Sequence, residues 1–212
     1  MKIVQIPNGR FVENCYLVID EAAGECAIVD PGEEPALIAH HLAAAGVKPV
    51  AIWLTHAHVD HVLGVPRLRE ETGAPVFLHP ADRPLYDHVA EQAAALGMAA
   101  GPLPPPDGAF AHGDVARVGT LEFAVRHAPG HSPGSVCLAA SGVVLTGDVL
   151  FQGSIGRTDL PGGDFDTLIR SIERELLVLP DSTIVYSGHG PETTIGHERR
   201  ANPFLTGAAR LS

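Results

Sequence analysis

The segment THAHVDH at positions 55–61 contains four side chains that can bind a metal ion, all within six consecutive residues. The segment follows the apolar run 50–54, which is typical of a buried strand, and His56 and His58 at alternate positions of an extended chain project to one side. Asp60 and His61 follow at the predicted turn, so their side chains can reach a different position from that of His56 and His58. Imidazole nitrogen and carboxylate oxygen suit a divalent ion such as zinc. Four ligands exceed what one tetrahedral ion accepts while keeping an open position, so the segment indicates two ions.

Three further candidate ligands each come just after an apolar run and beside glycine. They are His131 in APGHSPG, Asp148 in LTGD and His189 in SGHGP. Glycine allows the backbone to approach a bound ion closely, and the strands of a sandwich often release their loops at one edge. We therefore expect these three side chains to join the cluster at 56–61.

The elements that must position these ligands can be predicted from periodicity and turn residues. Short apolar runs at 3–6, 15–19 and 26–29, separated by turn residues, predict an antiparallel opening. Helical patterns are predicted at 34–45, 66–72, 81–95 and 164–179. Further strands are predicted at 50–54, 75–78, 115–118, 121–127, 136–139, 143–145 and 183–186. The segment 98–108, with four prolines and two glycines, is predicted to be irregular.

This order of elements predicts an α/β protein in which two mixed sheets pack face to face with helices outside, a four-layer αββα sandwich. We find no linker that divides the chain, so a single domain over residues 1–212 is expected.

Composition narrows the possible partners and location. A formal net charge of −11 over 212 residues disfavours nucleic acid or an anionic membrane as the main partner. We find no apolar run near the roughly 20 residues of a membrane span, and residues 1–10 lack the apolar segment of a signal peptide, so we expect a cytoplasmic protein. Cys15, Cys26 and Cys137 each lie inside an apolar run and are predicted to be buried free thiols.

Four stretches of the chain resemble the metallo-β-lactamase fold superfamily, and the likeness runs through nearly its whole length. They are the motif at 55–61, the loop at 129–134, the segment 146–159 and the segment 188–204. The chain is most similar to the short bacterial hydroxyacylglutathione hydrolases of the glyoxalase II type. Longer enzymes of that type have an extra C-terminal helical domain that supplies much of the glutathione site. This sequence ends at Ser212 without one, so the thiol carrier stays open.

The resemblance implies a ligand set for two divalent ions, with zinc expected and iron or manganese also possible. The first ion would be held by His56, His58 and His131, the second by Asp60, His61 and His189, with Asp148 bridging both.

Such a site implies hydrolysis by a metal-bound hydroxide, because zinc-bound water ionises near pH 7. Asp60 and Asp148 are its expected catalytic carboxylates. A thiolate with a conjugate pKa of roughly 8.5 departs without strong acid assistance, whereas an amide nitrogen must be protonated. The expected activity is therefore a metal-dependent thioester hydrolase. The resemblance implies S-D-lactoylglutathione or a similar hydroxyacyl thioester as its small-molecule substrate and methylglyoxal detoxification as its role.

Arg157 is the expected substrate contact, because the glutathione hydrolases resemble one another in having a basic residue on the loop after Asp148. The planar guanidinium of arginine can bind the glycyl carboxylate of glutathione through two hydrogen bonds. The stretch GRTD at 156–159 also resembles persulfide dioxygenases, which hold one iron through residues matching His56, His131 and Asp148. That oxygen-dependent activity is the competing hypothesis.

Three more classes of protein fit the sequence less well. A secreted lactam hydrolase is disfavoured because residues 1–10 lack the apolar segment of an export signal, and the acidic charge disfavours a nucleic-acid-processing enzyme. A purely structural metal scaffold is disfavoured because structural zinc sites are usually closed and rich in thiolates. We identify no sequence feature that specifies an oligomeric interface.

Overall fold

The computed structural model describes residues 1–209, so the last three residues of the expected domain 1–212 lie outside the described part. The first sheet contains six strands that lie side by side in chain order. They are β1 (Lys2–Asn8), β2 (Glu13–Asp20), β3 (Glu25–Val29), β4 (Lys48–Trp53), β5 (Val76–Leu78) and β6 (Gly108–Ala109). The first three pair antiparallel, which confirms the predicted opening, and β3 to β6 pair in parallel.

The second sheet also has six strands and lies face to face with the first. In chain order they are β7 (Val115–Val118), β8 (Leu121–His127), β9 (Val136–Ala140), β10 (Val143–Gly147), β13 (Ile184–Ser187) and β14 (Thr193–Thr194). Their spatial order is β14-β13-β10-β9-β8-β7, with β10 and β13 parallel and the other pairs antiparallel. A small hairpin, β11 (Leu150–Phe151) and β12 (Ser154–Ile155), follows β10.

Within residues 1–209, seven α-helices connect or follow these strands. They are α1 (Pro35–Ala45), α2 (Val59–Val62), α3 (Val65–Thr72), α4 (Arg83–Asp87), α5 (Val89–Ala95), α6 (Phe165–Ser171) and α7 (Ile195–Ala201). Proline in its first turn favours the start of α1, and Gly46 ends it in the left-handed conformation.

The layers follow from alternation along the strands. Trp53 of β4 points between the sheets and packs edge to face on Phe123 of β8, with 5.6 Å between the ring centroids. Its neighbour Ile52 faces the opposite way, into the core that the first sheet forms with α1 to α5. A third core lies between the second sheet and α6, where Leu168 packs. The predicted four-layer αββα sandwich with two mixed sheets is confirmed.

Two predicted helices are interrupted. The segment 81–95 forms a short 3₁₀ turn at Pro80–Asp82, then α4 and α5. Pro84 lacks an N–H and fits a first turn but not a helix interior, which explains why α4 begins separately from the 3₁₀ turn. In the segment 164–179, α6 passes into a π-helical turn at Ile172–Leu176. The sequence patterns did not predict the hairpin β11–β12 or α7.

The three cysteines are free and fully buried, as predicted. Within residues 1–209 the structure contains no helix that is both long and apolar enough to cross a membrane.

Candidate metal centre

The structure brings all seven predicted ligands together at one edge of the sandwich. The first four follow β4 in the first sheet, where His56 and His58 lie in the extended loop and Asp60 and His61 lie in α2. The other three follow strands of the second sheet. His131 lies between β8 and β9, Asp148 directly after β10, and His189 after β13. The loops of both sheets therefore meet at this edge.

The first cluster consists of His56, His58 and His131, whose ring nitrogens face one another. His131 Nε2 lies 2.9 Å from His58 Nδ1 and 3.3 Å from His56 Nε2. Two nitrogens bound to one tetrahedral zinc ion at about 2.1 Å lie about 3.4 Å apart. The spacing of the first cluster therefore fits a single ion of this size.

The second cluster consists of Asp60, His61 and His189. Asp60 Oδ2 lies 3.2 Å from His189 Nε2 and 3.7 Å from His61 Nε2. The Asp60 and His189 side chains keep 18% and 28% of their surface exposed, whereas His61 is fully buried. The second cluster is therefore the more accessible side of the centre.

Asp148 lies between the clusters and contacts both. Its Oδ2 lies 3.6 Å from His131 Nε2 and 3.6 Å from His189 Nε2, and its Oδ1 lies 3.5 Å from His61 Nε2. Among the described residues, His61 Nε2 and Asp148 Oδ1 are buried without a hydrogen-bond partner. Buried polar atoms normally have a hydrogen-bond partner, so this imidazole nitrogen and carboxylate oxygen, which face each other, fit a site built for a cation.

Four of the histidines are oriented by an oxygen atom on the ring nitrogen that faces away from the clusters. His56 Nδ1 contacts Thr55 Oγ1 at 3.1 Å, and His61 Nδ1 contacts Asp30 Oδ2 at 3.2 Å. The other two contact backbone carbonyls. His131 Nδ1 lies 2.8 Å from the Arg157 carbonyl oxygen, and His189 Nδ1 lies 3.1 Å from that of Phe11. Oxygen partners of this kind fix the tautomer and the ring orientation of metal-binding histidines.

Sequence reasoning missed Asp30, although it connects several of these groups. Its carboxylate accepts hydrogen bonds from the Thr55 N–H at 2.7 Å and the Thr55 hydroxyl at 2.5 Å, besides facing His61. Asp30 has a φ of 49°, an uncommon value for a non-glycine residue. The one sequence signal was its place in the turn Asp-Pro-Gly after β3.

The charges of the site divide the histidines into two kinds. Burial lowers the pKa of His56 and brings that of His58 to about 3, so both rings stay neutral, the form that binds metal. At His61 burial acts in the same direction, but the negative charges of Asp60 and Asp148 outweigh it and raise the pKa. In return, His61 lowers the pKa of both carboxyl groups against the effect of their own burial.

At two motif positions the backbone lies so close to the groups of the centre that only glycine fits. A Cβ atom on Gly188 would overlap Asp148 Oδ1 and lie 2.7 Å from His61 Cε1. A Cβ atom on Gly156 would overlap the Asp148 carbonyl oxygen and lie 3.0 Å from His131 Nδ1. A side chain at either position would displace a group of the centre.

The Arg157 side chain does not point to the clusters as a free cation. It is 60% exposed and forms a bidentate ion pair with Asp159, with both nitrogen-oxygen distances at 2.7 Å. Its contact with the centre is the backbone carbonyl on His131.

An αββα sandwich whose loops bring histidine and aspartate clusters together at one edge is the architecture of a metal-dependent enzyme. The chain belongs to the metallo-beta-lactamase superfamily, whose family model matches residues 8–189. The hydroxyacylglutathione hydrolase GloC of Haemophilus influenzae is 39% identical over 209 residues, which cover 97% of this chain and 98% of that protein.

Solved structures that share the fold include three that are more than 25% identical to this chain. BLEG-1, described as a B3 metallo-beta-lactamase, has a TM-score of 0.91 and 42% identity and covers 97% of this chain and 100% of its own. TTHA1623 in a di-iron-bound form has a TM-score of 0.88 and 44% identity, with 95% and 100% covered. ETHE1 from Myxococcus xanthus has a TM-score of 0.83 and 30% identity, with 98% and 85% covered. The family is thus settled, while GloC and BLEG-1 are named for different activities.

Proposed function

We propose that this chain is a single-domain, metal-dependent thioester hydrolase that cleaves S-D-lactoylglutathione or a similar hydroxyacyl thioester to an acid and a thiol. The observation that carries the proposal is the position of Asp148, whose one carboxyl group lies 3.6 Å from a histidine of each cluster. A carboxylate shared in this way supports two ions held side by side. The likeness to GloC supports the substrate class.

The donor atoms of both clusters supply the ligands in this proposal. The first cluster would hold one ion and the second cluster the other, and Asp148, which lies beside both, would be a ligand shared between them. Zinc is the metal we propose, because nitrogen and carboxylate ligands at these separations suit it. The di-iron form of TTHA1623 makes iron the second metal to test.

When bound, such ions lower the pKa of water towards 7 and polarise a carbonyl oxygen. The chain contributes the arrangement of charge around them. Asp60 and Asp148 are the proposed catalytic carboxylates, because they bring negative charge to the accessible side and to the middle of the centre. The greater exposure of Asp60 and His189 indicates that the substrate approaches from the second cluster.

The kind of leaving group supports a thioester. A thiol with a pKa of roughly 8.5 leaves as a thiolate at neutral pH, whereas an amide nitrogen needs a proton donor. The side chains that meet at the centre are imidazoles and carboxylates with their donor atoms turned towards each other. A thioester can be cleaved by such a set of side chains without an additional proton donor for the leaving group.

Arg157 remains the proposed contact for the glycyl carboxylate of a glutathione thioester. In the bidentate pair with Asp159, the Arg157 guanidinium already binds a carboxylate through two hydrogen bonds. The substrate would have to replace Asp159, and both side chains are exposed enough to rearrange.

The test is hydrolysis of S-D-lactoylglutathione by zinc-loaded protein, followed as loss of thioester absorbance. Asp60→Asn should lose turnover, while Asp166→Asn, an exposed carboxylate of α6, should retain it. A wild-type protein that carries two equivalents of zinc and leaves this thioester and other hydroxyacyl thioesters intact would refute the proposal.

The second candidate is a mononuclear iron persulfide dioxygenase, the family that the stretch GRTD at 156–159 also resembles. His56, His131 and Asp148, the residues of the proposed iron site, lie together in the structure. Iron-loaded protein that consumes oxygen with glutathione persulfide, and does so after His189→Ala, would support this candidate. Dependence on His189 together with thioester turnover would exclude it.

A further inference from the structure

The segment between β5 and β6 contacts the two loops that carry the first cluster, although it contributes none of its ligands. It contains Asp82, at the end of the 3₁₀ turn after β5, and Gln92 in α5. The Asp82 side chain is fully buried, and Gln92 is half-buried. Neither residue matched a motif in the sequence.

The Asp82 carboxylate connects the two loops that carry the first cluster. Its Oδ2 accepts hydrogen bonds from the Ala57 N–H at 2.9 Å and from the Ser132 hydroxyl at 2.7 Å. Its Oδ1 accepts a hydrogen bond from the Gly134 N–H at 2.5 Å. Ala57 stands between His56 and His58 in the sequence, and Ser132 directly follows His131. One carboxylate therefore fixes both backbones whose histidines must converge.

Gln92 holds the same loop from its other side. Its Nε2 donates to the Ala57 carbonyl oxygen at 3.1 Å, and its Oε1 accepts from the Val59 N–H at 3.2 Å. Nε2 also donates to the Leu85 carbonyl oxygen at 2.8 Å, which ties Gln92 to the preceding helix. With Asp82 on its N–H and Gln92 on its carbonyl, Ala57 has both backbone polar groups bound to this segment.

His189 of the second cluster lies on a loop with a separate support. The Asn14 amide donates to the carbonyl oxygens of Ser187 at 3.0 Å and Gly190 at 2.8 Å, on either side of His189. Asn14 is buried and belongs to β2, remote in sequence from Asp82 and Gln92.

We propose that Asp82 and Gln92 are positioning residues that hold His56, His58 and His131 at metal-binding separation and thereby set the metal affinity of the first cluster more than that of the second. The inference rests on the ligand assignment of the proposed function and adds residues that touch neither metal nor substrate. Asn14 is the corresponding positioning residue for His189 of the second cluster.

The chemistry of the carboxylate makes Asp82→Asn a selective perturbation. The carboxylate accepts three hydrogen bonds from two backbone N–H groups and a hydroxyl. An amide has one acceptor oxygen and an NH₂ group that donates, so one backbone N–H would face another donor. The loop at Ala57 or the loop at Gly134 must then move, while the charge and volume of the ligands stay unchanged.

The experiment measures zinc affinity by competition with a chelating dye in two backgrounds. His189→Ala disables the second cluster and reports on the first, and His58→Ala does the reverse. Changes to the partners that orient metal ligands typically weaken affinity by about 10–100-fold. We expect a loss of this size from Asp82→Asn in the His189→Ala background and a change of less than about threefold in the His58→Ala background. Asn14→Leu should produce the opposite pattern.

Thermal unfolding of the metal-free proteins controls for general damage. If Asp82→Asn does not fold, Gln92→Leu, which keeps the side-chain volume, carries the same test. Equal losses in both backgrounds, or unchanged affinity in the His189→Ala background, would overturn the positioning role and leave the ligand assignment standing. Parent variants that bind no zinc would instead overturn the ligand assignment, and this inference with it.

Discussion

Gly188 offers the sharpest test of how tightly the centre is built. It lies next to His189, and its Cα faces Asp148 and His61. Its φ is outside the left-handed region, so alanine adds a methyl group without backbone strain. Any effect of Gly188→Ala must therefore come from the space that the methyl group takes.

The size of the effect follows from the contacts. Ordinary contact begins near 3.4 Å, so His61 Cε1, at 2.7 Å from the new methyl carbon, must retreat by about 0.7 Å, and Asp148 Oδ1 must move further. A misplacement of about 1 Å can cost about 100-fold in rate, and overpacking typically costs about 1–3 kcal/mol in stability. We expect thioester turnover at saturating zinc to fall about 100-fold and zinc affinity to fall about 10–100-fold.

Two alanine variants separate the causes. Gly101→Ala meets no atom within 4 Å and has no positive φ, so it should match the wild type. Gly46→Ala also meets open space but has a φ of 65°, so it should lower stability with little loss of zinc affinity. A Gly188→Ala protein with wild-type turnover and zinc affinity would refute the reasoning that the carboxylate and imidazole positions are fixed by this close approach.

Three further predictions use other parts of the molecule. Burial raises the pKa of the Cys26 thiol to about 12 and encloses all three cysteines, so a thiol reagent at pH 8 should label the folded protein slowly and the urea-unfolded protein at three sites. Hydrogen bonds from the backbone N–H and hydroxyl of Thr120 lower the pKa of Asp20 from 3.8 to about 2. Ionised Asp20 therefore stabilises the fold above about pH 4, and urea titrations of the metal-free protein should show the advantage over Asp20→Asn shrinking as the pH falls from about 4 to about 2. Because Arg157 supports His131 through its carbonyl, Arg157→Ala should keep zinc stoichiometry and raise KM for glutathione thioesters more than for thioesters without a glycyl carboxylate. An equal rise for both kinds of substrate would contradict the contact.

The residues that form the two clusters could be predicted because each belongs to a local pattern. THAHVDH places donors at strand spacing directly after an apolar run, and the loops with His131, Asp148 and His189 carry glycine beside the ligand. These signals need no knowledge of which strands are neighbours. The αββα architecture was predictable for the same reason, since the order of strand and helix patterns along the chain leaves few ways to cover two sheets.

The supports of the centre were not predictable, because they depend on contacts between distant segments. Asp82 lies 50 residues from Ser132, and Asn14 lies 173 residues from Ser187. Each is a common polar residue in an unremarkable context, and its function arises from what the fold brings near it. The side chain of Arg157 is the reverse case: its sequence context indicates substrate binding, while the structure pairs it with Asp159.

The centre is shared between the two sheets, and this links metal binding to the packing of the sandwich. The segment 55–61 belongs to the first sheet, whereas His131, Asp148 and His189 follow strands of the second. Direct bonds join the sheets beside the ligands, as from the Tyr16 hydroxyl to the Ser187 carbonyl oxygen at 2.6 Å and from the Val136 N–H to the Thr55 carbonyl oxygen at 2.8 Å.

Ligand separation at this edge therefore depends on how the sheets pack around Trp53 and Phe123. By linkage, a metal that binds the folded state alone adds about 4 kcal/mol to its stability at a thousandfold excess over Kd. A change in the inter-sheet core that alters this packing must then weaken metal binding as well as the fold, because both depend on the same distance between the two sheets.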